Sequence, residues 1–469
     1  VFYNVTLYEY LKGVTVLSDN VSAMIVIAIL LIATYILIST EKMNKTMAAL
    51  LGGIGVIIFV KATAIATGFE VVIFTDEELF GEIIDWRTIT IVVSVLVIVE
   101  VSRTSGLFDW ITIKIIKLTE GEPTKIFLYM NLLTFGLSAL LGAAPAFIIV
   151  GALTLVVTRN MQLDPQPFII SEIMVANSAG VSTVISSFVN ILIAARYQLA
   201  PEHFLTYEGF IALGLPIGAI LVITNLLLFK FLYGKQIQEE AENASIDLKS
   251  ALLGLDEWQV VRSRPIFYRS AVLLIGTIAG FVVASFINIP FYIVALTSAI
   301  LFIFFSGIRI EIILRKLDWE MAIFFVGIFI IVGGAHKVGL LDLFAESIGS
   351  AAGGNKYVLW IIIIWLSAVL SGFMDNISVA AVLVFVIPNI ATIGFNETSI
   401  IWATILGANL GANLTPIGGV ANIVAISLLE KEDAPISWID FIKLGGIITI
   451  VNLAVATGYI ILLSALLGW

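Results

Sequence analysis

The chain has no cysteine, only two histidines and little charge. Without cysteine there is no disulfide, no thiolate chemistry and no cysteine metal site. His203 and His336 are too few and too far apart in sequence for a metal cluster. Charged residues make up 12% of the chain, against roughly 25% in a soluble domain. No basic stripe points to nucleic acid, and the net charge of −10 lies mostly in loops. The apolar runs are continuous, not alternating, which excludes a membrane barrel. No cleavable signal is legible, and a start at Val1 points to a trimmed terminus.

What is present is apolar sequence: 60% of residues are hydrophobic. Runs of about 20 apolar residues, each able to cross a bilayer core of roughly 30 Å as a helix, recur along the whole chain. Residues 22–39, 46–67, 87–102, 209–232, 270–287, 290–307, 319–334 and 440–467 read as plain spans. The expected class is an all-α polytopic membrane protein, placed in a prokaryotic plasma membrane.

The sequence also contains itself twice. "IDWRTITIVVSVLVIVEVSRTSGLFD", 84–109, aligns without a gap on "LDWEMAIFFVGIFIIVGGAHKVGLLD", 317–342, at an offset of 233. At the same offset "SALLGA", 138–143, falls on "SGFMDN", 371–376. At 232, "ANSAGVSTVISSFVNI", 176–191, falls on "ANLGANLTPIGGVANI", 408–423. At 231, "GFIALG" falls on "DFIKLG". The expected organisation is a first repeat over 1–233, a polar linker over 234–268 and a second repeat over 269–469.

Equivalent loops carry opposite charge. Loop 68–86 has six acids and no Lys or Arg, whereas its partner 308–318 has Arg309, Arg315 and Lys316. Loop 103–125 has Arg103, Lys114, Lys117 and Lys125, whereas 335–358 has only Lys337 and Lys356. This is the pattern of inverted repeats, with the N-terminus outside and the linker in the cytoplasm. Loop 428–439 resists, with Lys431 alone among acids.

Two regions per half are not plain spans. Over 126–158 and 359–388 an apolar run is interrupted at "LLGAAPAF" and at "GFMDNIS". Two short arms around a break read as a re-entrant hairpin. Over 166–195 and 399–427, apolar flanks surround a polar centre. Gly411, Pro416, Gly418 and Gly419 predict that the second of these helices unwinds. Unwinding frees backbone groups and exposes half-helix ends, which attract ions.

Asp375 is the only acid between Glu346 and Glu397. A carboxylate inside a membrane is a functional hypothesis by default, to bind a cation or a proton. The plainer alternative is a cap on the second hairpin arm. Asn376, Asn409, Asn413 and Thr415 offer the oxygens a hard cation such as sodium prefers, or else they bond helix to helix. In the first half Gly142 and Ala143 occupy the hairpin tip, and Asn177, Ser178, Ser182 and Thr183 line the break. That half is neutral there. Glu172, in the first broken helix, is a candidate proton carrier. Glu100 reads as pairing with Arg103, and Lys61 as snorkelling from a span end. Segment 106–121, with Phe108, Trp110, Lys114 and Lys117, reads as an interfacial helix.

"SGFMDNISVAAVLVFVIP" and "LGANLGANLTPIGGVANIVA" resemble the ion transporter superfamily, in its branch of arsenite permeases, sodium–proton antiporters and P-protein relatives. "IDW…SGLFDW" fits the same branch, and the resemblance covers most of 84–195 and 317–467. It implies a homodimer, with a scaffold domain and a transport domain that moves elevator-fashion. Asp375, Asn376, Asn409, Asn413 and Thr415 would match one ion site, with sodium at the first four. Asn177, Ser178, Ser182 and Thr183 would match the other. Many members of the branch carry Asp-Asn at the first tip, where this chain has Gly142-Ala143. One charged site and one neutral site remain.

These readings predict a secondary-active transporter, not an enzyme, with no cofactor beyond a coupling sodium ion or proton. Cation–proton antiport at Asp375 leads. The alternative is a sodium- or proton-coupled anion, carboxylate or arsenite carrier. An intramembrane aspartyl protease needs two aspartates in one site, and only Asp375 lies at depth.

Overall fold

The computed structural model describes residues 2–40, 42–67, 73–197, 200–243, 256–261, 263–287 and 289–469. Most of linker 234–268 that is not helical lies outside them. Among the described residues every regular element is helical. Nine helices among the described residues are long and apolar enough to cross a membrane, or ten if one bent pair counts as a span.

In chain order the helices are α1 (Phe2–Ser39), α2 (Lys45–Ala66), α3 (Trp86–Thr104), α4 (Leu107–Leu118), α5 (Pro123–Leu141), α6 (Ala143–Asn160), α7 (Pro165–Ser178), α8 (Phe188–Arg196) and α9 (Tyr207–Asn243). They continue as α10 (Arg264–Phe286), α11 (Phe291–Phe305), α12 (Ile310–Lys316), α13 (Trp319–Lys337), α14 (Leu340–Ala352), α15 (Lys356–Phe373), α16 (Asn376–Thr392), α17 (Glu397–Gly411), α18 (Val420–Lys431) and α19 (Trp438–Leu467).

The chain forms two compact units. The first holds 1–89, 319–359 and 381–395. In it, α2 packs on α13 along a buried stripe of Ala48, Ala49, Gly52 and Gly53, small residues that let two backbones approach. Asn44 caps α2 through Thr46 N–H at 2.8 Å, and its amide also reaches Glu320 at 2.9 Å. The acidic segment before α3, a short helical stretch over 76–83, meets the cations at the ends of these spans. Lys61 pairs with Asp76 at 2.6 Å, and Lys337 lies 2.5 Å from Glu78 and 3.4 Å from Glu82. The Lys337 ammonium holds the Glu78 carboxyl below its ordinary range.

The second unit holds 90–318, 360–380 and 396–469. Here α3 and α4 meet at a 56° bend. As the sequence suggests, α4 is amphipathic: Leu107, Phe108, Thr112, Ile113 and Ile116 are buried. Lys114 lies 4.5 Å from the centre of the Trp110 ring, and Lys117 pairs with Glu257 of the linker at 2.5 Å. Glu100, buried at the end of α3, has two cations: Arg103 at 3.3 Å and Lys316 at 3.4 Å. Helix α9 runs on through residue 243, past the point where the polar linker was expected to begin.

The hairpin arms differ from their expected length. α5, α6, α15 and α16 have 19, 18, 18 and 17 residues, longer than the short arms read from apolar runs alone. Turns at their outer ends lengthen them: Pro123 starts α5 at the position where a missing N–H is harmless, and α6 runs on through Arg159 and Asn160. Arm length therefore does not separate these helices from full spans.

Candidate functional site

The candidate ion- and substrate-binding residues lie in the second unit, at two hairpin tips and two helix breaks, with Glu172 on α7 in the same unit. At the first tip α5 ends on Gly142, with φ 88 and ψ 162, a conformation that glycine tolerates and other residues avoid. Ala143 opens α6 directly after it. At the second tip Asp375 stands just before α16, and its Oδ1 accepts the N–H of Ile377 at 2.7 Å. The carboxylate thus serves as the cap that the plainer reading proposed. Asp375 is 9% exposed and Asn376 is half-buried.

The breaks have the same construction. α7 stops at Ser178; short 3₁₀ turns and two extended residues, Thr183 and Ser187, lead into α8. α17 stops at Gly411; Thr415, one 3₁₀ turn and Gly419 lead into α18. Thr183 (φ −138, ψ 167) and Thr415 (φ −135, ψ 162) occupy nearly one conformation. Each threonine hydroxyl ties its break to a hairpin arm. Thr183 donates to Ala139 O at 2.6 Å, and Thr415 donates to Gly372 O. Those carbonyls lie three residues before Gly142 and Asp375 respectively, so each break is fixed beside its own tip.

Two asparagines that the sequence reading did not select close the breaks from inside. Asn190 Nδ2 donates to Gly180 O and Thr183 O, both at 2.7 Å. Asn422 Nδ2 donates to Ala412 O at 2.7 Å and Thr415 O at 2.9 Å. Donors and acceptors all correspond at an offset of 232. The signal was present in "FVNI" and "VANI", but a lone apolar-flanked Asn does not announce its partners.

The two halves then interlock. Asn177 Nδ2 donates to Asn422 Oδ1 at 2.8 Å and to Asn413 Oδ1 at 2.9 Å. Asn409 Nδ2 donates to Asn190 Oδ1 at 3.0 Å and to Ile405 O at 2.8 Å. Asn413 Nδ2 reaches Ser178 Oγ at 3.1 Å and Met174 O at 3.2 Å. Ser178 Oγ also receives Asn225 of α9 at 2.9 Å and Asn452 of α19 at 3.2 Å. These contacts use the amides of Asn177, Asn409 and Asn413 to join one break to the other. Ser182 Oγ is buried with no hydrogen-bond partner among the described residues.

The last helix of each half seals its break through a glycine. A Cβ at Gly214 would lie 2.5 Å from Val181 O, and one at Gly445 would lie 2.2 Å from Asn413 O. Only a residue without a side chain admits this approach.

Glu172 sits wholly buried on α7. Its Oε1 accepts the Thr154 hydroxyl at 2.7 Å, and its Oε2 has no partner among the described residues.

Paired hairpins and broken helices within an all-helical, many-spanning chain are the architecture of a membrane transporter, and known proteins agree. Residues 35–407 match the family described as CitMHS, citrate transporter, and the chain belongs to that family. It is 29% identical to an uncharacterized transporter of Mycobacterium tuberculosis, over 93% of this chain and 97% of the relative. It is 23% identical to the P protein of Mus musculus, over 97% of this chain and 62% of that protein. Its fold is similar to that of the YdaH transporter of Alcanivorax borkumensis, with TM-score 0.60 at 15% identity, covering 90% of this chain and 99% of that one.

Proposed function

We propose that the protein is a secondary-active carrier with alternating access, in which Asp375 holds the coupling cation. One observation carries this reading. Among the described residues the buried charged side chains are Glu100, Glu172 and Asp375, all acids. Glu100 is neutralised by Arg103 and Lys316. Asp375 stands at a hairpin tip beside a helix break, where a cation or proton can meet it. Asp375 and Asn376 would supply direct ligands to sodium, while Thr415 ties the break to the hairpin arm and Asn409 and Asn413 join it to the first break. The buried acids favour sodium–proton antiport.

A second reading is favoured by the family's description as citrate transporters. A carboxylate substrate would then meet the neutral break of Asn177, Ser178, Ser182 and Thr183, and the cation at Asp375 would drive its movement. Both readings share an elevator-type motion of inverted repeats in a homodimer, with the N-terminus outside and the linker in the cytoplasm.

Reconstitution into proteoliposomes tests this. A sodium gradient should drive proton movement, read with an internal pH dye, or uptake of labelled citrate. Asp375→Asn should abolish either flux in protein that still folds. Undiminished sodium-dependent flux in Asp375→Asn would sink the reading.

A further inference from the structure

The two halves do not carry their buried acid at the same place. The second half has Asp375 at its hairpin tip, where the first has Gly142. The first half has Glu172 on its broken helix, where the second, at an offset of 232, has Thr404. Both Glu172 and Thr404 are 0% exposed. Apart from Glu100, which has its own cations, each half therefore buries one carboxyl among the described residues.

We propose that Glu172, oriented by Thr154, is the proton-carrying group of the first half and works alongside the cation at Asp375. This rests on the transport reading above. A wholly buried carboxylate with no cation beside it is costly, so such a group holds either a proton or a metal ion. A sodium ion takes several oxygens, as hard cations do. Glu172 has the Thr154 hydroxyl at 2.7 Å and an open Oε2, which suits a proton. Its neighbours on α7, Ile169, Ile170, Ile173 and Val175, are buried and apolar.

No recorded ion pair reaches Glu172 among the described residues. The helices packed on α7 are α5, α6, α9, α17 and α18. Their charged groups are engaged elsewhere or exposed, except Glu208, which is half-buried in the first turn of α9 with an Oε2 that has no partner among the described residues, far along that helix from Asn225, which meets Ser178. Lys125 of α5 pairs with Glu122 beside Tyr129. Arg159 of α6 pairs with Glu432, and Glu397 of α17 pairs with His203. On α9, Lys230 is exposed, while Tyr233, Gln236 and Glu240 lie near Asp164, two turns before Glu172. At the ends of α18, Glu430 and Lys431 are exposed. Two residues beyond Glu172, Met174 O receives Asn413 of the other break. Loading of Glu172 is thus linked to the second half within a single turn of α7.

The test uses the full chain in proteoliposomes, with sodium chloride and sodium citrate as probes. An internal pH dye reads protons, and labelled sodium and citrate read exchange at equal pH on both sides. Glu172→Gln keeps the shape and removes the titratable proton. It is expected to lose proton movement down to the level of protein-free vesicles while retaining exchange. Wild-type proton movement in Glu172→Gln overturns the proposal. Exchange without any proton movement in the unmodified protein also overturns it, while leaving the transport reading intact. Neither exchange nor proton movement in the unmodified protein removes both. If Glu172→Gln does not fold, Thr154→Val keeps the carboxyl and should shift the pH of half-maximal flux; an unmoved midpoint overturns the assignment.

Discussion

Asn177 donates to Asn422 at 2.8 Å, and at the corresponding positions of the opposite halves Asn409 donates to Asn190 at 3.0 Å. Each half lends an amide to the other half's break. Removing one partner leaves a buried polar group unpaired, which costs about 1–3 kcal/mol. Asn190→Ala and Asn422→Ala should each lower thermal stability in detergent by an amount in that range. A double-mutant cycle on Asn177 and Asn422 should show coupling, whereas Asn177 with Asn190 should be closer to additive. Additivity in the first pair would count against the interlock.

The glycines that seal the breaks should tolerate nothing larger. Gly214→Ala and Gly445→Ala put a methyl group against backbone carbonyls of Val181 and Asn413. Overpacking of this kind costs about 1–3 kcal/mol or more. Gly276→Ala, where a Cβ meets nothing within 4 Å, is the control and should leave stability unchanged or slightly raised. Equal unfolding temperatures for all three variants would contradict the close approach.

Asp375 has two duties that substitution can separate. Its Oδ1 caps α16, and serine also caps helices well, whereas alanine loses about 0.5–2 kcal/mol. Asp375→Ser should keep most of the stability that Asp375→Ala loses, yet both should lack ion-coupled flux. Parallel thermal unfolding and flux measurements separate the two. Flux that tracks stability across the pair would reduce Asp375 to a structural cap.

Acid should erase one ion pair selectively. The Glu78 carboxyl is held below its usual range by Lys337. A depressed acid contributes stability above its unfolded value, near 4.3, and loses it as pH falls through the folded value. Glu78→Gln should therefore be slightly less stable than the unmodified chain at pH 7, and the gap should close below about pH 4. A gap that persists in acid would mean that Glu78 acts through packing.

Much of this architecture was legible because membranes enforce simple rules. Apolar runs became helices, and the pairing of Glu100 with Arg103 followed from their spacing. The breaks could be read from Gly411, Pro416 and Gly418, since few residue types permit them. What was not legible was who bonds to whom. Asn409, Asn413 and Thr415 read as one set of ligands around Asp375. In the fold Thr415 reaches that hairpin arm, while Asn409 and Asn413 turn to the first half. Amide chemistry fixes that a partner is needed, but only the tertiary arrangement selects it. The hairpin arms were read too short because polar residues in their outer turns, such as Lys125 and Arg159, hide helix ends from a hydropathy scan.

The exchange of amides between the halves also sets the order in which the molecule can be completed. Asn177 and Asn190 are made more than two hundred residues before Asn409 and Asn422 exist. Until then the first break sits in the growing chain with amide groups that lack their final partners. The first half therefore finishes folding only when the last helices arrive, a long-range dependence of the kind that slows assembly. A ribosome stalled after α9 would hold a half-protein whose helix break is not yet closed.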